Sequence, residues 1–183
     1  TAYTINASDL LVGFSDVEND TLLVKGLTAD NGDLVNNNDG TWTFTPATNY
    51  NGNVALSYNV LDGNGGSVAA TQGFNVVPVN DAPTGTADAK LVAGTEDTAY
   101  TINASDLLVG FSDVENDTLS VDGLTANNGL LVNNNDGTWT FTPTANFNGE
   151  VALTYNVIDG NGGSVAATQG FSVAAVNDAP TGT

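Results

Sequence analysis

Val79-Asn80-Asp81-Ala82-Pro83 joins two copies of one sequence, and the same five residues return as Val176-Asn177-Asp178-Ala179-Pro180. The nine residues Thr98–Asp106 repeat Thr1–Asp9 letter for letter, which sets a period of 98 − 1 = 97 residues. A unit of this length can bury a modest core of its own. The duplication therefore predicts two tandem domains, residues 1–82 and residues 83–183.

The second copy has a leading segment that the first copy lacks. Thr84–Asp97 precedes the second copy, nothing equivalent precedes Thr1, and the last three residues of the chain repeat Thr84–Thr86. We therefore expect the first domain to lack its first strand segment, and the chain to be an excerpt from a longer array of repeats.

The charge balance is strongly acidic, with 21 acidic residues against 2 basic ones, Lys25 and Lys90, and a net charge of −19. Nucleic acid and anionic membranes bind through clustered Lys and Arg, so both are excluded as partners, whereas cations are favoured. The sequence has no Cys and no His, which excludes disulfides and thiolate metal sites. No apolar run reaches the roughly 18 residues that a spanning helix needs, so we expect no membrane insertion.

The dominant sequence period is two, which is typical of strands that bury one face. Val54–Val60 is apolar at even positions, and Thr41–Thr45 alternates Thr with Trp42 and Phe44. The latter segment is predicted to form a hairpin with Leu34 and Val35, because the intervening Asn36–Gly40 is rich in residues that tolerate tight turns.

Further strands are expected at Tyr3–Asn6, Leu22–Lys25 and Val68–Val77, with equivalents 97 residues later. Ser8–Val12 is predicted to form a single helical turn with Ser or Asp as its N-cap. Seven or so short strands per copy, separated by regular turn signals, predict an all-β protein of two tandem Greek-key β-sandwich domains of immunoglobulin-like type.

Differences between the copies indicate which side chains face solvent. Leu23 is replaced by Ser120 while its neighbours stay apolar, so Leu23 is predicted to be exposed. Tyr50 is replaced by Phe147, so its hydroxyl has no chemical role common to both copies, and we interpret it as a packing residue.

Each copy has a loop that places three carboxylates within five residues, with no basic residue nearby, and a second acidic loop between the last two strands. The clusters are Asp16, Glu18 and Asp20, repeated as Asp113, Glu115 and Asp117; the second loops are Asp62–Gly66 and Asp159–Gly163. Like charges this close repel one another, and a bound Ca²⁺ would relieve the repulsion because it accepts six to eight oxygen ligands in flexible geometry. In a sandwich of this topology the two loops lie at the same pole.

The residues alone leave two alternatives open, a calcium site and an acidic loop that is merely solvated. The loops do not follow the EF-hand spacing, since Gly73 stands where that motif after Asp62 needs a bidentate Glu. They also lack the tandem nonapeptides of a calcium β-roll.

The motifs together resemble a known family. Asn80-Asp81-Ala82-Pro83 resembles the Asn-Asp-Asn-Ala-Pro connector of cadherin repeats, Asp113-Val114-Glu115 resembles their Asp-x-Asp loop, Ile158-Asp159-Gly160 resembles the segment with their last-loop Asp, and Thr95-Glu96-Asp97 resembles their early Pro-Glu-Asn. The whole unit is most similar to the bacterial cadherin-like tandem repeats of giant cell-surface adhesins.

The resemblance implies domains arranged end to end with calcium at their junctions. The implied ligands at the first junction are Asn80, Asp81, Asp113, Glu115, Asp117 and Asp159; Asp16, Glu18, Asp20 and Asp62 are the equivalents in the first copy, and Glu96 would serve the next junction with Asn177 and Asp178. Where cadherins have an Asp-Arg-Glu motif this sequence has Thr45–Asn49, and the connector is one residue shorter. Fewer than the usual three ions per junction are therefore expected.

Three functional classes are compatible with a chain of this composition. An enzyme is disfavoured, because without His or Cys a nucleophile such as Ser67 has no evident base. A carbohydrate-binding module would need exposed aromatic rings, but the alternation with Thr predicts that Trp42 and Trp139 lie in the core. The resemblance favours a calcium-stiffened spacer of an extracellular adhesin on or near the cell surface. Its partners would be calcium, neighbouring repeats and cell-surface or polysaccharide targets.

Overall fold

The computed structural model describes residues 1–179 and divides the chain into two compact units, Thr1–Val79 and Asn80–Thr183. Both are all-β, with 51% of the chain in strands and 4% in helices. The prediction of two tandem β-sandwich domains is thereby confirmed. The division between the units falls after Val79. The domain boundary expected after residue 82 stays a prediction.

The first unit contains two three-stranded antiparallel sheets and one helical turn. Its elements are β1 (Tyr3–Asn6), α1 (Ala7–Leu10), β2 (Leu23–Ala29), β3 (Gly32–Asn36), β4 (Thr41–Pro46), β5 (Gly52–Leu61) and β6 (Ser67–Val76). One sheet has the order β1-β4-β3 and the other the order β2-β5-β6. β6 is therefore an edge strand.

The second unit repeats this pattern and adds three short strands. Its elements are β7 (Thr84–Gly85), β8 (Gly94–Thr95), β9 (Tyr100–Asn103), α2 (Ala104–Leu107), β10 (Phe111–Ser112), β11 (Ser120–Ala126), β12 (Gly129–Asn133), β13 (Thr138–Pro143), β14 (Gly149–Ile158) and β15 (Ser164–Ala174). The sheets have the orders β12-β13-β9 and β11-β14-β15-β8, with β10 and β7 as a separate pair. β8 runs parallel to β15 and pairs with its last two residues, Val173 and Ala174.

Strict alternation along the longest strands builds the cores. Val54, Leu56, Tyr58 and Val60 of β5 are at most 5% exposed, while the intervening residues face solvent. On the facing sheet, Phe44 is fully buried. Each core thus combines side chains from both sheets, and its stability comes mainly from removing these apolar surfaces from water.

The predicted hairpin and solvent face are confirmed. β3 pairs with β4, with Leu34 opposite Phe44 and Asn36 still paired, opposite Trp42, and Leu23 is 54% exposed. The strand predicted at Leu22–Lys25 instead covers Leu23–Ala29, because Gly26 adopts a positive φ and lets the pairing continue after a register shift.

The predicted helical turn is present but its cap is not the expected one. Asn6, with an extended backbone, is the N-cap of α1, and its side chain donates to Asp9 Oδ2 at 2.8 Å instead of capping the helix. The prediction of Ser or Asp as N-cap was therefore wrong. α1 is held from the core side, where the buried Tyr58 hydroxyl donates to Leu10 O at 2.7 Å.

Candidate metal site

The acidic loop of the second unit folds around the side chain of its first carboxylate. Asp113 Oδ1 accepts hydrogen bonds from the backbone N–H groups of Glu115 (2.9 Å) and Asp117 (3.2 Å). Asn116 between them adopts φ 62°, a conformation that Asn tolerates well. The loop therefore turns so that Asp113, Glu115 and Asp117 each present an oxygen within 4.8 Å of the others.

One oxygen of this cluster has no partner. Asp113 Oδ2 is buried and makes no hydrogen bond. Every other buried side-chain nitrogen or oxygen atom in residues 1–179 has a hydrogen-bond partner. An unpaired buried polar atom costs about 1–3 kcal/mol, and more when it carries charge. The neighbouring carboxylates add electrostatic repulsion to this cost, so a positive charge bound between them would stabilise the site.

Asp159 belongs to the second acidic loop of the same unit and is only 4% exposed. It accepts hydrogen bonds from Asn80 Nδ2 (2.8 Å) and from the backbone N–H groups of Asn161 (2.7 Å) and Gly163 (2.9 Å). The hydrogen bond from Asn80 and those from its own loop hold the pKa of Asp159 below its ordinary value, against the opposing effect of burial. Asp159 therefore stays ionised, but both of its oxygens are engaged by hydrogen bonds, and its role as a metal ligand stays a prediction.

Two further contacts draw neighbouring segments to the cluster. The backbone N–H of Asp81 donates to Glu115 Oε2 at 3.2 Å, and Asn161 Nδ2 donates to Asp117 Oδ2 at 2.8 Å. Asn161 was not among the predicted site residues. The repetition of Asp-Gly-Asn at Asp62–Asn64 and Asp159–Asn161 was the sequence signal that could have identified it.

The donor set suits calcium. Carboxylate and amide oxygens are the ligands of hard cations, and calcium in particular accepts irregular geometry and carboxylates at 2.3–2.6 Å. Asp113, Glu115 and Asp117 would hold the ion, with Asp159, Asn80 and Asp81 at its periphery. Bound calcium would supply the positive charge that the cluster lacks.

The first unit has the same hydrogen bonds within its acidic loop, but its three carboxylates do not come together. Asp16 accepts N–H bonds from Glu18 (2.9 Å) and Asp20 (3.0 Å), and Asn64 Nδ2 donates to Asp20 Oδ2 at 2.6 Å. Asp62 accepts from its own loop in the manner of Asp159. Yet within residues 1–179 only Asp113, Glu115 and Asp117 form a group of three close carboxylates.

The residues predicted for the following junction are placed differently. Glu96 is 4% exposed, and its carboxylate accepts the N–H of Val176 and, at 3.4 Å, Asn148 Nδ2. Asn177 Nδ2 donates to Asp178 O at 3.2 Å. Both oxygens of Glu96 are therefore engaged within its own unit, and a role in metal binding for these three residues stays a prediction.

Neither tryptophan offers a platform for sugar binding. Trp42 and Trp139 are each 8% exposed and belong to the cores of their units. The prediction that they pack inside is confirmed. No helix in the described part of the chain has the length and apolar character to cross a membrane.

Comparison with known structures gives several distant likenesses. One is the endo-fucoidan hydrolase MfFcnA4 of glycoside hydrolase family 107, with 23% identity and a TM-score of 0.39 over 97% of this chain and 26% of that one. The human desmocollin-1 ectodomain has 15% identity and a TM-score of 0.39 over 86% of this chain and 34% of that one. Yersinia pseudotuberculosis InvD has 17% identity and a TM-score of 0.30 over 100% of this chain and 55% of that one. The chain spans less than two thirds of each. At these TM-scores none supports a conclusion about activity.

No curated protein matches the chain. The model of the cadherin-like domain, by contrast, matches residues 1–77 and again residues 79–174, one match for each copy. Together the two matches cover nearly the whole sequence and agree with its division into two β-sandwich units. The chain therefore belongs to the cadherin-like domain family.

Proposed function

We propose that this chain is a pair of calcium-binding repeats of an extracellular adhesin, acting as a calcium-stiffened spacer on or near the cell surface. Membership of the cadherin-like family supports an extracellular, adhesion-type module. The single observation that supports calcium most strongly is the buried, unpaired Asp113 Oδ2 inside a cluster of three carboxylates.

Stiffening would act through the connector residues that belong to the second unit. Asn80 and Asp81 already contact Asp159 and Glu115, each through one hydrogen bond. A cation held by oxygen atoms of both the connector and the loops would add coordination bonds to these two hydrogen bonds. The chain at Asn80 and Asp81 would then lose the freedom that a five-residue, proline-ended connector otherwise keeps.

Calcium binding is tested by calorimetric titration of the intact chain with Ca²⁺ and with Mg²⁺. We expect Ca²⁺ to bind saturably. Mg²⁺ should bind more weakly, because it demands near-ideal octahedral geometry. Asp113→Asn combined with Glu115→Gln should remove the strongest site. The matched control, Asp16→Asn with Glu18→Gln, changes the identical sequence in the first copy. It should leave calcium binding at Asp113 and Glu115 intact. Equal loss in both variants, or no heat in wild type, would contradict the proposal.

The spacer role is tested separately by small-angle scattering. We expect the spread of the maximum dimension to be narrower in calcium than in chelator, and Asp113→Ala with Glu115→Ala to reproduce the chelated result in calcium. Identical distributions in all three samples would reject stiffening even if calcium binds.

A further inference from the structure

The second unit has an edge strand, β12, with two exposed apolar side chains. β12 is the end strand of the sheet β12-β13-β9, so one of its backbone edges has no strand partner within the described residues 1–179. Leu130 and Val132 face solvent and are 66% and 48% exposed, whereas Leu131 between them packs against the core. An exposed apolar edge of this kind is available for pairing with another strand.

The hydrogen bonds on either side of β12 show which backbone groups lie at its free edge. The N–H of Asn134 donates to Thr138 O at 3.0 Å, and the N–H of Thr144 donates to Asn128 O at 3.0 Å. Bonded residues alternate along an antiparallel ladder, so the even-numbered residues of β12 are bonded to β13. The odd-numbered residues therefore direct their N–H and C=O groups to the free edge: Gly129, Leu131 and Asn133.

The sheet that ends in β12 carries no charged side chain. None of the strands β9, β12 and β13 contains Asp, Glu, Lys or Arg, although the chain as a whole has a net charge of −19. Two copies of so acidic a chain repel each other least where their surfaces carry no carboxylates.

The equivalent strand of the first unit, β3, differs from β12 in its charge. Asp33 stands where β12 has Leu130, and Asp30, just before β3, stands where the second unit has Asn127. Asp30 and Asn127 make the same local contact, since each accepts a backbone N–H at 2.7 Å. The second unit thus keeps the contact without the charge. Because charged side chains on an edge strand oppose pairing between edges, β3 is protected and β12 is not.

We propose that β12 pairs antiparallel with β12 of a second copy of this chain, which forms a dimer with a two-fold axis at Leu131. This register joins the free backbone groups, because Leu131 faces its own copy and Gly129 faces Asn133 of the second chain. Leu130 then stands opposite Val132 of the second chain, in a non-hydrogen-bonded pair whose Cα atoms approach to about 4.5 Å. Both exposed apolar side chains of β12 are thereby removed from water.

A second copy is the occupant that this edge fits, because the strand is complementary to itself. The same five residues supply both sides of the pairing, and an isologous contact of this kind closes after two chains. In β3 the same register would place Asp33 opposite Val35 and force a carboxylate into an apolar contact, which costs free energy. The first unit therefore does not extend the dimer into a longer array.

Sedimentation equilibrium of the intact chain in excess chelator tests the dimer with no cation to bridge acidic loops. The mass should rise with protein concentration from 18.6 kDa towards 2 × 18.6 = 37.2 kDa. Added salt should favour the dimer, because it screens the repulsion between the chains. Leu130→Asp gives β12 the carboxylate of β3 and should raise the dissociation constant at least about tenfold. A thermal melt of this variant checks that it is folded, as expected for a change at an exposed position.

The reverse change provides the matched control. Asp30→Asn with Asp33→Leu gives β3 the same residues as β12 at these two positions and should produce assemblies larger than a dimer. If this variant forms nothing larger than the wild type does, the charge on β3 is not what prevents pairing and the proposal fails.

Amide exchange of the wild-type chain identifies the paired surface. Where the dimer forms, the amides of Gly129 and Leu131 should exchange more slowly than in dilute solution, and those of their counterparts Gly32 and Leu34 should be unchanged. A chain that stays monomeric up to its solubility limit would overturn the proposal, as would a dimer that Leu130→Asp leaves intact. Equal protection at Leu34 and Leu131 would also overturn it, because β12 would then pair with β3 or another surface would be responsible.

Discussion

Replacing Asp113 with Asn is expected to stabilise the calcium-free second unit and, at the same time, to remove its response to calcium. The amide keeps an oxygen for the N–H groups of Glu115 and Asp117 that Asp113 Oδ1 accepts at 2.9 and 3.2 Å. It also places a donor where the unpaired Oδ2 now lies, so the loop loses charge without losing its scaffold.

The magnitude follows from the geometry of the cluster. Two unit charges 4.8 Å apart repel by about 0.9 kcal/mol in a water-like dielectric and by about 3.5 kcal/mol at an effective dielectric of 20. The substitution removes two such pairs, and salt screens part of the gain. We expect at least about 1 kcal/mol, which raises the melting temperature of a domain of this size by about 4–8 °C.

The assay is a thermal melt of wild type, Asp113→Asn and the matched control Asp16→Asn, each in excess chelator and in excess calcium. Wild type should gain about 2.7 kcal/mol in calcium at a hundredfold excess over the dissociation constant. The Asp113 variant should melt higher than wild type in chelator and lower in calcium. If it is less stable in chelator and still responds to calcium, the cluster is not a site of unrelieved repulsion and the reasoning fails.

Three further predictions concern the second unit. Trp139→Ala should cost about 3–5 kcal/mol in denaturant unfolding, as a core truncation; a stable variant that loses polysaccharide binding would instead indicate a sugar platform. Tyr155→Phe should cost about 1–3 kcal/mol, because Leu107 O loses its buried hydrogen bond of 2.8 Å; an unchanged unfolding midpoint would show that water replaces the hydroxyl. The Thr138 hydroxyl donates to Asp136 and holds the pKa of that carboxyl below its ordinary value of 3.8. Thr138→Val should raise that pKa in an NMR titration. It should also reduce the stabilisation that this carboxyl contributes above about pH 4 and loses as the pH falls through its folded-state pKa. An unchanged pKa of Asp136 would show that other groups cause the shift.

Much of the fold could be predicted because local alternation decides it. In β5 the side-chain period of two fixes which residues are buried, and the comparison of Leu23 with Ser120 supplied the orientation where the period alone was ambiguous. The N-cap of α1 could not be predicted in this way, since Asn6 and Ser8 are both good capping residues. The extended backbone of β1, which ends at Asn6, decided between them.

The candidate site shows a sharper limit. Ser15–Asp20 and Ser112–Asp117 are identical in sequence, yet only the second copy brings its three carboxylates together. A contact from a distant segment, the Asp81 N–H bond to Glu115, accompanies that difference. Glu96 is similar, because the motif around it matched but the parallel pairing of β8 with β15 directs its carboxylate to Val176. Residue types revealed the chemistry of the candidate ligands, and long-range pairing determined which of these residues come together.

The near-identity of the two copies also affects how the chain must fold. β5 pairs with β6 over ten residues, and β14 pairs with β15 over ten equivalent ones, so β5 could in principle pair with β15 during folding. The correct hairpin closes a loop of 5 residues (62–66), whereas the wrong one closes a loop of 163 − 62 + 1 = 102 residues. Loop-closure entropy favours the short loop by about 2.7 kcal/mol. The two short loops that carry Asp62 and Asp159 therefore also protect a repetitive chain from exchanging strands between its own copies.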